Sequence, residues 1–404
     1  MSRPRALIVT GRLPLPLDDG GRIVVWQAVR SIAQEYETTL VSLVPEADAG
    51  APTPPALTEI GVRLVRVPHR PPWMPVAALS GAFGRWPYTL YRYRNRRLDT
   101  TLRKLVAEQR PAFANVHHLH LATYFEALAG TPMVLREHNL EHLWLERFAR
   151  SRRNPAVRAY AHYQARRMVR TEAELCSRCA LVLAVREEEA SVLRRLAPRT
   201  RVEVVPIGIA MDRYLPRAPE RPPIVLLPGS WDWPPNRDGG QRFVERGWAS
   251  VRARVPEARL RVVGKALPDS LAAAARRAGA ETVGYVESMA PEFARAAVMV
   301  VPLWIGAGAR VKIVEALAAR IPVVTTTLGA EGLGLEPGTH ALFAETPESL
   351  GDAIADLLMQ PERGRALTEA GYAFARERFS FDVVSRRTLE LLASVAGSTA
   401  GVAR

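Results

Sequence analysis

Residues 302–317 read PLWIGAGARVKIVEAL and concentrate the chemistry of anion binding. An apolar run, 298–302, leads into a small turn carrying Gly306, Ala307 and Gly308, and a helical pattern opens directly after it. Free amides at a helix start carry partial positive charge and suit a phosphate. Arg310 and Lys312 add fixed charge, and Glu315 offers acceptor oxygens to a ribose diol. Lys312 is one of only three lysines, with Lys104 and Lys265, among 55 basic residues, so a compact ammonium stands where the chain otherwise uses arginine. A second loop of this kind, residues 14–22 (PLPLDDGGR), follows the first apolar run, and Gly20 and Gly21 let backbone approach a ligand closely.

Histidines form the third group. His117, His118 and His120 close one apolar run, and Glu137, His138 and Asn139 close the next. Such a histidine accepts a proton or hydrogen-bonds a sugar hydroxyl. The alternative is a histidine satisfied by a structural hydrogen bond. A zinc site from His118, His120 and His138 is conceivable, but no carboxylate ligand is clearly poised beside them, and no metal is expected.

The elements that must position these residues alternate. Strand-like runs fall at 6–10, 39–44, 63–67, 113–116, 133–136 and 181–185, with helical patterns at 23–35, 99–109, 122–129 and 158–180. Continuous Val/Ile/Leu runs bounded by turns describe strands covered on both faces. A short strand at 202–206 precedes Pro216, Pro219, Pro222 and Pro223, where a stiff connection marks a domain boundary. The alternation then restarts, with strands at 224–227, 260–263, 282–286, 298–302 and 322–325 and helices at 239–252, 270–278, 289–296 and 311–319. A long helical pattern, 362–395, closes the second domain and crosses back to the first. The expectation is an α/β protein of two doubly wound parallel-sheet domains, Rossmann-like in both halves. Residues 1–210 plus a helix at about 378–404 form one, and residues 211–377 the other.

The 404-residue chain is 48% hydrophobic and 24% charged, a folded globular composition. No apolar stretch reaches the roughly 18 residues of a membrane span, and the N-terminal run at 6–9 is too short for a signal peptide, so a cytoplasmic location is expected. A formal charge of +14 permits anionic partners, although arginine-rich composition alone accounts for it equally well. Residues 85–104 (RWPYTLYRYRNRRLDTTLRK) mix aromatics with basic side chains. Two readings stand: contact with an acceptor or with the inner face of an acidic membrane, or a loop and helix packing its aromatics inward. Nucleic acid is not expected as a partner. Cys176 and Cys179 form a lone CxxC without a completing zinc set and read as small helix residues.

The ordered set Gly229-Ser230-Trp231-Asp232-Trp233-Pro234-Pro235-Asn236, Val262-Val263-Gly264, Gly284-Tyr285-Val286, the 306–315 loop, and 322–326 with 329–333 resembles the C-terminal domain of glycosyltransferase family 4. The PxPxDxGGR loop and the two histidine strand ends agree in the first half, so the resemblance covers essentially the whole chain. It is nearest to bacterial members of polysaccharide or antibiotic-sugar assembly. The resemblance implies a GT-B enzyme that closes a cleft on a nucleoside diphosphate sugar, UDP or GDP, retains anomeric configuration, and needs neither metal nor cofactor. Transfer would be to a hydroxyl acceptor on a glycan, a lipid-linked sugar or a natural product. It also implies that Glu315 holds the ribose, that Gly284, Tyr285 and Val286 frame the base, and that Gly229, Ser230, Arg310 and Lys312 face the diphosphate. Gly20 and Gly21 approach from the other domain, Gly306, Ala307 and Gly308 hold the sugar by their amides, and His138 acts at the transferring sugar. His118, Glu137 and Asn139 then contact sugar or acceptor.

Three departures from the family pattern stand out. Ala307 replaces the earlier of two glutamates spaced eight apart, residues 230–236 replace a common arginine–lysine pair, and Ala210 stands where aspartate is frequent. A sugar-nucleotide epimerase of the same architecture, or a binding protein that has lost its chemistry, is the alternative these departures leave.

Overall fold

The computed structural model describes all residues except 1–2, 18–19, 151, 153, 215–217, 307–309 and 401–404. The chain divides into two compact units, Met1–Ile207 with Val384–Arg404, and Gly208–Val383. The sequence puts this break slightly later, between residues 210 and 211, ahead of the proline run at 216–223. The backbone puts it earlier because Ile209 already pairs with the second unit's own C-terminal turn, its N–H donating to Phe379 O at 2.6 Å and its carbonyl accepting from Phe381 N at 2.8 Å.

The first unit is built on seven strands: β1 (Arg5–Thr10), β2 (Glu37–Val44), β3 (Arg63–Pro68), β4 (Phe113–His117), β5 (Met133–Arg136), β6 (Leu181–Ala184) and β7 (Val202–Val204). They lie in the order β3-β2-β1-β4-β5-β6-β7, every pair parallel. The second unit has six: β8 (Ile224–Pro228), β9 (Arg259–Val263), β10 (Glu281–Val283), β11 (Val298–Val301), β12 (Val323–Thr325) and β13 (Leu342–Phe343). Their order, β10-β9-β8-β11-β12-β13, repeats the first, again all parallel. This is the doubly wound order in which the chain reverses direction between the first and fourth strands. Apolar cores cover both faces of each sheet, one pair around Leu7 and Ile8, the other around Val225 and Leu226.

Several expected elements differ in detail. The helix expected at 122–129 is a single turn, Leu119–Ala122, followed by reverse turns. The strand expected at 282–286 ends at Val283. The helix over 239–252 contains a π turn, Phe243–Gly247, between two α segments. The long C-terminal pattern is two helices, Pro361–Phe379 and Phe381–Ala400, broken where Ser380 adopts extended backbone. Of the aromatics of 85–104, Trp86 is buried, Tyr91 packs partly buried on the core, and Tyr93 stacks between two histidine rings. Cys176 ends a helix and Cys179 follows it, both buried, the latter donating to Leu175 O at 3.2 Å.

Candidate functional site

In the second unit the switch point lies between β8 and β11. The loop after β8 runs through Gly229 and Ser230 into the Pro234–Arg242 helix; the loop after β11 runs into the Val311–Ala318 helix. The two loops are laced together. The Lys312 ammonium donates to the carbonyl of Pro228, the last residue of β8, at 3.2 Å, and to Asn236 Oδ1 at 2.8 Å. Lys312 thus spans the switch point, at the carboxyl ends where doubly wound sheets bind ligands. Burial, with Arg310 nearby, lowers its pKa to about 7. Backbone crowding fixes the same region. Gly264 has φ +135°, and a Cβ there would lie 1.7 Å from Gly229 O; Gly306 has φ +108°, and its Cβ would lie 2.6 Å from the Pro235 ring.

Glu315 lies one turn along from Lys312. Its carboxylate accepts from the Tyr214 hydroxyl at 3.3 Å, and burial raises its pKa to about 7. Arg310 is only 3% exposed and donates to Leu328 O at 3.0 Å, with Glu331 at 3.9 Å. The guanidinium therefore lies against the 328–331 turn, and Lys312 is the cation set on β8. Ser230 donates to Asp232 at 2.6 Å, and the Gly229 amide continues the sheet by donating to Val263 O at 2.9 Å. Gly284, Tyr285 and Val286 follow β10; the Gly284 carbonyl accepts from Gly264, Tyr285 is exposed, and Val286 packs on the core. Ala307 and Gly308 lie outside the described residues.

In the first unit the switch point lies between β1 and β4. Gly20 and Gly21 open the Gly20–Glu35 helix as its first residues, so they present helix-start amides rather than a loop, and Arg22 donates back to Pro16 O at 3.2 Å. Beyond β4 and β5 the rings form a stack. His69 and Tyr93 have centroids 6.3 Å apart, Tyr93 and His120 4.3 Å, His120 and His118 5.5 Å, and His118 and His138 3.8 Å. Close approach of Gly11 admits this stack beside β1, since a Cβ there would lie 3.1 Å from Tyr93. His118 holds φ +71° at the turn that lays its ring on His138. His117 Nδ1 and His138 Nε2 are 3.1 Å apart, one donating and one accepting. Burial holds both pKa values well below the usual imidazole value and brings His120 to about 3, so these rings are neutral near pH 7. His118 stacks on His120 and on His138, His117 meets His138 edge-on, and among the described residues no set of three His, Cys, Asp or Glu is arranged to hold a metal ion.

Glu137, expected as a sugar contact, is instead 2% exposed, and burial together with neighbouring glutamates pushes its carboxyl far above the usual range. Its amide donates to Leu183 O at 2.9 Å, which extends the sheet register and keeps the residue internal. Asn139 is exposed. Two residues escaped the sequence reading. Glu172 accepts from the amides of Glu141 at 2.6 Å and His142 at 3.3 Å and from the His142 ring, so it caps the Glu141–Arg150 helix that follows His138. Its signal was present: Ala161, Ala165, Met168, Glu172 and Leu175 form one buried helical stripe, and a carboxylate on it requires a partner. Tyr214 carried no comparable signal.

Residues 222–360 match the family described as Glycosyl transferases group 1, within the second unit. No curated protein sequence matches the chain. Sucrose-phosphate synthase from Thermosynechococcus elongatus superposes with TM-score 0.71 at 16% identity, covering 98% of this chain and 100% of that one. HepE of Anabaena, solved with UDP and glucose, gives 0.68 at 15%, covering 96% and 100%. The α,α-trehalose 6-phosphate synthase of Burkholderia multivorans gives 0.64 at 15%, covering 98% and 100%. At these identities the likeness is one of fold. The two repeated sheets and the group 1 domain define the class: a glycosyltransferase on two Rossmann-like domains.

Proposed function

We propose that this chain transfers a sugar from a nucleoside diphosphate sugar to a hydroxyl acceptor with retention at the anomeric carbon. One observation carries the reading: Lys312, held on the carbonyl that ends β8, offers a desolvated ammonium at the switch point beside a helix start. In a site shielded from water, such a charge stabilises the negative charge that grows on the leaving diphosphate. Glu315 takes the ribose hydroxyls one turn along. The acceptor oxygen bonds to the anomeric carbon on the face the diphosphate leaves, and passes its proton to the departing phosphate oxygen. Uridine is the base put forward, because the HepE neighbour was solved with UDP and, separately, with UDP-glucose. In the first unit, His138 serves as a neutral hydrogen-bonding group toward sugar or acceptor, and His118, stacked on it, contacts the same ligand. Glu137 is too buried to join them, and Arg310 acts behind Lys312 through its charge.

A thermal-shift series with UDP-, GDP- and dTDP-sugars identifies the donor, since a ligand bound only by folded protein raises its melting temperature. With that donor, Lys312→Met lowers turnover by about 10²–10³-fold, the scale of losing one transition-state charge partner. Turnover near that of the parent chain refutes the assignment.

A further inference from the structure

The helix Met74–Phe83, MPVAALSGAF, contains no charged residue and turns its apolar side to solvent. Val76, Leu79 and Phe83 fall at i, i+3 and i+7, and Trp73 extends the same stripe by one turn. Trp73 is 74% exposed and Phe83 88%. The outward pose is built in. Tyr160 donates to Ala78 O at 2.7 Å, Tyr163 to Ala82 O at 2.8 Å and Gln164 to Gly81 O at 3.0 Å, which ties the inner side to the Pro155–Ser177 helix. Gly81 lies so near Tyr88 that a Cβ would come within 2.6 Å of its backbone. A contiguous row of large apolar side chains held in water marks an interaction surface.

The charge around this row selects its partner. Residues 60–98 contain eight arginines and no acidic residue, and residues 147–171 contain another eight arginines and no acidic residue. Arg70, Arg166 and Arg170 are exposed, and Arg170 shares a helical stripe with Tyr163 on the helix that backs the apolar row. A second copy would bring the same arginines and the same +14 charge against them. An anionic bilayer supplies both complements, phosphates for the arginines and an acyl boundary for the row. We propose that the 73–83 face is an interfacial membrane anchor, with Trp73, Val76, Leu79 and Phe83 entering an anionic leaflet and the surrounding arginines holding its headgroups. The aromatics of residues 85–104 are not part of the apolar row, since Trp86 is buried and Tyr91 and Tyr93 pack on the core, and the proposal stands independently of the transferase assignment.

The test is cosedimentation of the full chain with vesicles of phosphatidylcholine alone and of phosphatidylcholine mixed with phosphatidylglycerol. Binding to the mixed vesicles is expected, weakening as salt is added. Leu79→Ser with Phe83→Ser lowers that partitioning by about tenfold or more at an unchanged melting temperature. Arg166→Glu with Arg170→Glu weakens it and flattens its salt dependence. Should the serine variant melt lower, Trp73→Ala, which lies outside the helix, gives the same reading. Parent protein left in the supernatant with mixed vesicles at low salt overturns the proposal, as does serine-variant binding equal to the parent. Equal partitioning into neutral vesicles also overturns it. So does a dimer in sedimentation velocity that the serine variant abolishes, which would give the face to a second copy.

Discussion

Two partly buried ionisable groups one helical turn apart, Lys312 and Glu315, have pKa values that converge from opposite directions. Burial lowers the lysine from its usual 10.5 to about 7 and raises the glutamate from its usual 4.5 to about 7. The donor is held best by a protonated lysine and an ionised glutamate. Its affinity therefore falls as pH rises through about 7, where the ammonium is lost, and falls as pH drops below about 7, where the carboxylate is lost. Binding of UDP by calorimetry is expected to peak near neutrality. Lys312→Met removes the alkaline limb and Glu315→Gln the acidic one; a flat parent profile contradicts the assignment. Tyr214 tunes the acidic side, because its hydroxyl bond lowers the Glu315 pKa. Tyr214→Phe lets that pKa rise, so UDP binding weakens several-fold at pH 7 and recovers toward the parent value as pH increases. A penalty constant across pH would mean that Tyr214 only fills space. Lys312 and Glu315 were legible in the sequence because a glycine turn, a rare lysine and a helix start coincide there. Tyr214 was not, since 101 residues separate it from its partner in the chain.

At the scale of elements, Leu140 before the Glu141–Arg150 helix offers no polar side chain to its first amides, and Glu172 from the Pro155–Ser177 helix accepts from them instead. The residues immediately before it, 137–140, carry His138, so the cap fixes the segment that brings His138 onto His118 and His117. Glu172→Ala leaves two helix-start amides and a buried imidazole without their acceptor. The expected cost is about 2–4 kcal/mol in chemical denaturation, from buried donors left unsatisfied. Glu172→Gln keeps an acceptor for the amides and costs less; equal losses for the two would leave the cap argument unsupported. Strands were the elements most readable from sequence, since a parallel sheet covered on both faces demands uninterrupted apolar runs. Helix ends were less so. Ser380 breaks the last helical pattern because its neighbours pair with Ile209, a contact 171 residues distant that no local periodicity records.

At the scale of the whole molecule, each sheet has its own apolar cores, with residues 384–395 contributing to the first unit's core and residues 209 and 375–379 to the second's. Repetition of the strand order was implicit in the restart of the alternation after residue 223, but the division point depended on backbone bonds rather than composition. Because the proposed UDP contacts at Lys312 and Glu315 lie in the second unit, linkage confines the nucleotide's first effect to that unit's unfolding. Differential scanning calorimetry of the full chain is expected to resolve two transitions. UDP at about a hundred times its dissociation constant adds roughly 2.7 kcal/mol to the unit that binds it. For a unit of this size that moves one transition upward by about 5–10 °C and leaves the other in place. Lys312→Met abolishes the shift without touching the unshifted transition. A single transition that moves as a whole would show that the two cores unfold cooperatively, and the nucleotide's stabilisation would then be shared across all 404 residues.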